Sequence, residues 1–260
     1  MAVDEAATSP ERAAVEIHRQ LGAPTGPVPV FEIARALDIE KIEQRPLDGF
    51  EAMLLTGLER DFGHVLLNGR SSPRRRRYSL AHELGHFLCV WHKQTREDGF
   101  ACRSTDMVSP RGPSYHVTQE REANAFAIEL LAPVALVRPY LKRLPDLDVV
   151  LEMHLRLDIS KVAAARRYVN LHAYPLAVVI AKNGVALYVD RNPTFPFLEF
   201  AAGQSLPELP MPPAGRATSE MIDADARDWR LSNVGRQLFC QTLVQDEGYA
   251  LVLLQLEATE

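Results

Sequence analysis

Apolar residues recur every three or four positions in several stretches of this chain, and that period predicts helices. Two short helices are predicted at 10–20 and 30–37, and two stronger ones at 78–88 and 118–132. The last of these has an apolar stripe of alanine, leucine and phenylalanine residues, and Pro133 marks its end. Weaker helical patterns follow at 134–143, 146–157 and 160–169. The middle of the chain is therefore predicted to be mainly helical.

A period of two residues predicts a small sheet ahead of the helix at 78–88. Its strands are expected at 39–43, 49–56 and 62–68. The segment from Val65 to Asn68 is a candidate edge strand that would pair with an extended peptide. A plain core strand fits the same residues equally well.

Strand patterns return after Tyr174-Pro175, where the composition changes. Apolar runs at 176–181 and 185–189 flank Asn183-Gly184, which is a strong hairpin signal. One more strand is expected at 249–256, and the proline-rich stretch 193–213 is expected to be irregular.

These elements predict an α+β fold in two parts. Residues 1–173 carry the small sheet, the two strong helices and a helical hairpin, and residues 174–260 form a small β-rich module. The hairpin at 146–169 resembles a helix-turn-helix, but the same pattern packs as an ordinary pair of helices. Direct contact with nucleic acid is not expected, because the net charge of the chain is −5.

The composition narrows the class of protein further. A chain of 260 residues with 47% hydrophobic residues can bury a sizeable core. Its start contains Asp4 and Glu5 rather than the apolar run of a signal peptide, and no stretch approaches the ~20 apolar residues that span a bilayer. Cys89, Cys102 and Cys240 have no disulfide-framework spacing. We therefore expect a cytoplasmic protein without membrane contact.

The helix predicted at 78–88 contains the sequence His-Glu-x-x-His. His82 and His86 are four residues apart and project from one helix face, as two imidazoles must to share a Zn²⁺ ion. Glu83 follows the first histidine and can reach a water molecule at an open metal position, where it would act as general base. Ser72 or Ser79 would begin this helix.

A basic run, Arg70 and Arg74–Arg77, precedes the histidine motif. Such a run predicts either an ion-paired helix start or a contact with an acidic stretch of a protein substrate. The segment 93–116 is long, lacks periodicity and is a candidate cover for a cleft. Within it, Tyr115 and His116 are candidates for stabilising an oxyanion.

Two positions compete for the third metal ligand. His92 has the metzincin spacing from the second histidine, but Cys89 stands where that motif needs a glycine to turn the chain. Glu120 lies on the helix at 118–132, with Asn124 one turn later to hydrogen-bond a ligating histidine. Glu122 is a rival on the same helix, turned about 200° from Glu120, so one of the two can face the metal.

Two motifs in this order resemble the ImmA/IrrE family of bacterial metallo-endopeptidases, over roughly residues 25–170. The motifs are Arg77-Tyr78-Ser79-Leu80-Ala81-His82-Glu83-Leu84-Gly85-His86 and Glu120-x-x-x-Asn124-x-Phe126-Ala127-x-x-Leu130-Leu131-x-Pro133. The resemblance implies a zincin-like fold in which His82, His86 and Glu120 hold Zn²⁺ and Glu83 is the catalytic base. Ala132 departs from the methionine that the family often has, at a position expected to serve packing.

The resemblance also implies a biological role. Such enzymes cleave a helix-turn-helix transcriptional repressor during a stress response or mobile-element induction, and the module at 174–260 would be regulatory, substrate-binding or structural. The alternative is a zinc-containing regulator that binds a partner protein or DNA without hydrolysis. In that case Cys89 or Cys102 would complete a structural site with four protein ligands. The ligands also suit Mn²⁺ or Fe²⁺.

Overall fold

The computed structural model describes residues 9–22, 25–97, 99–108, 110, 112–231 and 235–257. The chain divides by its contacts into two units, 1–136 with 156–159, and 137–155 with 160–260. Helices and two sheets confirm the α+β class, with a β-rich C-terminal part. The sequence predicted a functional boundary between residues 173 and 174. Units defined by contacts do not test a functional boundary, so this one stays a prediction.

The sheet of the first unit has four strands. They are β1 (Ile39–Arg45), β2 (Ala52–Thr56), β3 (Gly63–Asn68) and β4 (Gly99–Cys102), in the order β1-β3-β2-β4. β1 runs parallel to β3, and the other pairs are antiparallel. Alternate residues of β2 and β3 are buried, because successive side chains of a strand point to opposite faces. The three strands predicted here are confirmed.

The expectation that 65–68 forms a sheet edge is wrong. β3 is paired on both sides, with β1 and with β2, so its backbone groups are not available to another chain. The core-strand interpretation is correct. β4 was not predicted, because it is four residues long and lies in a segment without periodicity.

Helix α3 (Pro73–Leu88) carries the His-Glu-x-x-His motif. It begins at Ser72, whose hydroxyl accepts a hydrogen bond from the backbone of Arg75 at 3.3 Å, and proline occupies the first helical position. The basic run therefore lies mostly inside the helix and not before it. Ser72, and not Ser79, is the cap.

The arginines of this run form ion pairs, as one of the two interpretations expected. Arg74 and Arg77 both pair with Asp158, at 2.9 and 3.2 Å. Arg75 lies 3.4 Å from Glu51. The start of α3 is thus tied to neighbouring segments of the first unit.

The other end of α3 is held by a single side chain. The Arg60 guanidinium, from the turn between β2 and β3, donates to the carbonyl oxygens of His86, Phe87, Cys89 and His92. The last carbonyl groups of a helix lack partners within the helix, and a cation there also suits the helix dipole. Arg60 therefore fixes the chain where it leaves the His-Glu-x-x-His motif.

Helix α4 (Ser114–Leu131) begins four residues before the predicted Thr118, so Tyr115 and His116 are helical and not in a loop. Pro113 precedes it, and proline is well suited to a helix start. The helix ends before Pro133, as predicted. It packs closely on α3, since a Cβ atom on Gly85 would lie 2.9 Å from the Cα of Ala123.

The first unit also contains two helices near the start of the described residues, α1 (Pro10–Leu21) and α2 (Val30–Ala36), and both confirm their predictions. The His18 ring lies 2.9 Å from the carbonyl oxygen of Leu130, which joins α1 to the end of α4. None of the helices in the described part of the chain is long and apolar enough to cross a membrane.

Three helices follow α4: α5 (Val134–Val137), α6 (Leu147–Leu157) and α7 (Lys161–Leu171). Ser160 caps α7, as predicted, by accepting from the backbone of Ala163 at 3.0 Å. The helix expected at 134–143 is shorter, with a separate 3₁₀ turn at Tyr140–Lys142. Pro139 accounts for the interruption, because proline has no N–H to donate.

The second unit contains an antiparallel sheet in the order β6-β5-β9-β8-β7. Its strands are β5 (Leu176–Lys182), β6 (Val185–Arg191), β7 (Ile222–Ala224), β8 (Leu238–Val244) and β9 (Tyr249–Leu256). Asn183 and Gly184 both have positive φ, 50° and 75°, as the predicted two-residue hairpin requires. β7 and β8 were not predicted. The side chains of Phe195, Trp229 and Leu254 lie in the core of this unit.

Candidate metal centre

Three side chains from two helices converge in the interior of the first unit. His82 Nε2, on α3, lies 3.1 Å from Glu120 Oε2, on α4, and 3.2 Å from His86 Nε2. His86 Nε2 lies 3.4 Å from Glu120 Oε1. All three residues are buried. The structure therefore brings together the three residues that the sequence predicted as ligands.

Asn124 fixes the orientation of His82. Its Nδ2 donates to the carbonyl oxygen of Asp106 at 3.0 Å, so its Oδ1 is turned towards the histidine. This oxygen lies 3.0 Å from His82 Nδ1 and also accepts from the Tyr78 hydroxyl at 2.9 Å. Because Oδ1 only accepts, His82 Nδ1 must carry the hydrogen, which leaves a lone pair on Nε2. The expected contact between Asn124 and a histidine of the motif is present, with His82 as the partner.

The donor set fits a divalent cation. The lone pair of His82 Nε2 and the carboxylate of Glu120 are 3.1 Å apart and would repel each other without a positive charge between them. In a tetrahedral zinc site with bonds of about 2.0–2.1 Å, neighbouring ligand atoms are about 3.3 Å apart. The separations observed here lie close to that value. Burial also lowers the pKa of His86 to about 3, which keeps this ring neutral as metal binding requires.

Glu83 is buried beside these ligands, and neither of its carboxylate oxygens has a nitrogen or oxygen donor among the described residues. Burial raises the pKa of this carboxyl group well above its usual value, and the charge of Glu120 adds to the rise. The Cys102 thiol counteracts part of the shift. A carboxylate whose pKa is raised by burial has a high proton affinity, which is what a general base near neutral pH needs.

Cys102, on β4, joins the same group. Its Sγ lies within 4.8 Å of the ligand atoms of His82, His86 and Glu120. Burial raises the pKa of this thiol well above its usual value, and the charges of Glu83 and Glu120 raise it further, so it is protonated at neutral pH. Cys89, the other cysteine considered, is buried but does not belong to this group.

The two rival ligands from the sequence lie outside the group of converging atoms. His92 Nδ1 is 2.9 Å from His86 Nδ1, on the side of that ring opposite to Glu120. Glu122 Oε2 accepts from His92 Nε2 at 2.8 Å and from Trp91 Nε1 at 2.7 Å. The two rivals therefore contact each other.

Of the two oxyanion candidates, His116 approaches the site. Its Nδ1 lies 3.6 Å from Glu120 Oε1, and its Nε2 lies 3.7 Å from Asp106 Oδ1. Tyr115 is exposed, with the Lys93 ammonium group 5.9 Å above its ring. The role of either residue in catalysis stays a prediction.

Sequence reasoning did not place Tyr78 or Asp106 at the site, and it named Cys102 only as one of two possible fourth ligands of a structural centre. Tyr78 and Asp106 act through Asn124, and no spacing pattern signals a contact with a side chain more than forty positions away or with a backbone carbonyl. Cys102 reaches the site because β4 pairs with β2, which brings Cys102 opposite Ala52.

Comparisons with known proteins found a family and a similar fold. The model of the IrrE N-terminal-like domain, peptidase family M78, matches residues 39–168. Among solved structures, a Mycobacterium tuberculosis transcriptional regulator is similar with a TM-score of 0.56 and 14% identity, covering 95% of this chain and 87% of that one. At this identity the likeness shows the fold alone. No curated protein sequence matches the chain.

Proposed function

Because this chain belongs to the family of the IrrE N-terminal-like domain, a metallopeptidase family, we propose that it is a zinc-dependent endopeptidase. The observation that carries the proposal is the convergence of His82, His86 and Glu120 beside the buried carboxylate of Glu83, which has no nitrogen or oxygen donor among the described residues. Two neutral imidazoles and one carboxylate are the donor set of His₂Glu zinc peptidases, which keep one coordination position open.

The proposed roles follow from position. His82, His86 and Glu120 would hold the ion, with Asn124 orienting His82. A bound zinc ion would supply a Lewis acid that lowers the pKa of water towards ~7 and polarises a peptide carbonyl. Glu83 would take the proton of the attacking water and then deliver it to the leaving amine. Its raised pKa suits both steps.

We propose a specific protein as substrate, a helix-turn-helix transcriptional repressor, with cleavage relieving repression in a stress response or mobile-element induction. This rests on the family resemblance of the two motifs. The similar mycobacterial protein is called a transcriptional regulator, and that name describes the mycobacterial protein alone. The β-rich residues 174–260 would sense a signal or bind the substrate.

A second candidate is favoured by the position of Cys102. If its thiol lost a proton and bound the ion with His82, His86 and Glu120, four protein ligands would close the site, as in structural zinc centres. The protein would then be a regulator that binds a partner without hydrolysis. Its thiol is protonated at neutral pH, so zinc would have to displace that proton.

Metal content tests both candidates. We would measure zinc by elemental analysis in the wild type, in Glu120→Ala, in Cys102→Ala and in the exposed control Glu59→Ala. About one zinc per chain that is lost in Glu120→Ala alone supports the peptidase site, whereas equal loss in Cys102→Ala favours the structural centre. A wild type without metal overturns the proposal.

The activity itself would be tested with purified helix-turn-helix repressors encoded beside the gene. Each would be incubated with the zinc-loaded protein, and fragments would be identified by mass spectrometry. Cleavage at one position supports the substrate assignment. Cleavage of none of them by a zinc-loaded wild type would count against it.

A further inference from the structure

We propose that His92, held by Glu122, is a positioning residue that fixes the tautomer and orientation of the metal ligand His86. The inference rests on the proposed metal site and goes beyond its ligands. It depends on a chain of two short contacts, Glu122 Oε2 to His92 Nε2 at 2.8 Å and His92 Nδ1 to His86 Nδ1 at 2.9 Å.

The hydrogen positions along this chain follow from its first member. An ionised carboxylate can only accept, so His92 Nε2 must carry the hydrogen that it donates to Glu122. A neutral imidazole has one hydrogen, and His92 Nδ1 is therefore an acceptor. The facing nitrogen, His86 Nδ1, must then donate. Its other nitrogen, Nε2, keeps a lone pair directed at Glu120 and His82.

His92 is itself fixed from two directions. Its side chain is fully buried, and the carboxylate that holds it also accepts from Trp91 Nε1 at 2.7 Å. Its backbone N–H donates to the carbonyl oxygen of Cys89 at 2.8 Å, and its own carbonyl accepts from Arg60. Because both the side chain and the backbone of His92 are held by hydrogen bonds, its ring can fix the orientation of the His86 ring.

In this arrangement, residues of α4 orient both proposed histidine ligands, His82 and His86. Asn124 of α4 accepts from His82 Nδ1, and Glu122 of α4 reaches His86 Nδ1 through His92. Glu120, on the same helix, faces the Nε2 atoms directly. Residues 120, 122 and 124 of α4 therefore act on the same site. Glu120 is a proposed ligand, Asn124 accepts from His82, and Glu122 orients His86 through His92. Partners of this kind raise ligand basicity and typically change metal affinity 10–100-fold.

Two measurements test the inference. First, in protein without metal, labelled with ¹⁵N at histidine, long-range ¹H–¹⁵N correlation reports which ring nitrogen carries hydrogen. We expect His86 protonated at Nδ1 and His92 at Nε2. The opposite pattern at either ring would overturn the proposal, and this readout needs neither zinc binding nor activity.

The second measurement is zinc affinity by competition with a chelator. His92→Phe removes the acceptor but keeps a ring, and we expect zinc to bind about 10–100-fold more weakly. His92→Asn, whose Oδ1 can take the position of His92 Nδ1 and accept from His86 Nδ1, should recover much of that loss. His172→Phe, at a buried histidine of the second unit, is the control and should leave the affinity unchanged.

The remaining outcomes separate the alternatives. Unchanged affinity in a folded His92→Phe protein would make His92 a core residue without influence on the site. Loss of zinc as complete as in Glu120→Ala would make His92 a ligand, and both outcomes overturn the inference. A wild type that binds no zinc would instead defeat the proposed function, while the tautomer measurement would still decide the hydrogen-bond chain.

Discussion

His82 Nδ1 lies 3.0 Å from Asn124 Oδ1, and the amide of Asn124 is turned by its hydrogen bond to the carbonyl oxygen of Asp106. A histidine on α3 is therefore oriented by a residue on α4, which is oriented in turn by the segment between β4 and α4. The direction of the Nε2 lone pair depends on this succession of contacts. A substitution at Asn124 can therefore change the orientation of His82 without replacing any proposed ligand.

Replacing Asn124 tests this dependence. In Asn124→Leu the side chain keeps its size but loses the acceptor, and we expect zinc affinity to fall about 10–100-fold. Asn124→Asp keeps an oxygen facing His82 and should bind zinc nearly as well as the wild type. Chelator competition measures both, and equal affinities in the Leu variant and the wild type would contradict the orienting role.

Replacing Glu83 separates metal binding from catalysis. Glu83→Gln removes the proton acceptor while His82, His86 and Glu120 remain, so zinc content should be unchanged. General acid–base catalysis contributes about 10²–10⁴-fold, and we expect the cleavage rate to fall by that factor. The rate is measured in single-turnover cleavage of the repressor substrate, and a normal rate would show that another group is the base.

Gly85 is the point of closest approach between α3 and α4. A methyl group there would meet the Cα of Ala123 at 2.9 Å, and backbone atoms cannot rotate away. We expect Gly85→Ala to lower the free energy of unfolding by about 1–3 kcal/mol through overpacking, measured by urea unfolding. Gly57→Ala is the control, because nothing lies within 4 Å of that position. Equal stability of the two variants would mean that the helices can shift apart freely.

Arg60 offers a prediction about stability away from the metal. Arg60→Leu removes the donor to four carbonyl oxygens, those of His86 and Phe87 in the last turn of α3 and those of Cys89 and His92 just after it. Hydrogen bonds to a charged group contribute about 1.5–3 kcal/mol each. Losing all four together, with water replacing some of them, should cost at least about 2 kcal/mol of unfolding free energy. Arg70→Leu is the matched control.

Arg70 pairs with Asp48 on the surface, with exposed side-chain fractions of 64% and 92%. An exposed ion pair contributes at most about 1 kcal/mol. Chemical denaturation of both variants compares the two arginines. If Arg60→Leu were no less stable than Arg70→Leu, the carbonyl groups at the end of α3 would have to be satisfied by water.

The convergence of His82, His86 and Glu120 could be predicted in part, because some of its relations are local and because the two motifs resemble a known family, which favoured Glu120 over His92. His82 and His86 share a face by helix geometry alone, and the same geometry relates Glu120 to Asn124. What joins the two helices, the absence of a side chain on Gly85 opposite Ala123, was visible only in the structure.

Relations that depend on strand pairing were harder to foresee. β4 is four residues long, and its pairing with β2 joins positions about fifty apart, so no period in the sequence indicates that Cys102 lies beside His82, His86 and Glu120. The prediction that residues 65–68 form a sheet edge failed for the same reason. β1 pairs with β3 in parallel, and the local sequence pattern gave no sign of this pairing. His92 was recognised for its spacing, but spacing does not distinguish a ligand from the residue that orients one.

His82 and Glu120 are 38 positions apart in the chain, and this separation has a consequence for biosynthesis. At about 5–20 residues per second, a ribosome adds Glu120 roughly 2–8 s after His82. Between the addition of Leu88 and that of Gly99, the sequence of α3 is complete, α4 has not been made, and β2 has no partner on the side that β4 will occupy. The nascent chain therefore passes through a stage with an unpaired strand and an uncovered apolar helix face, the features that make folding intermediates prone to aggregation and recognisable to chaperones.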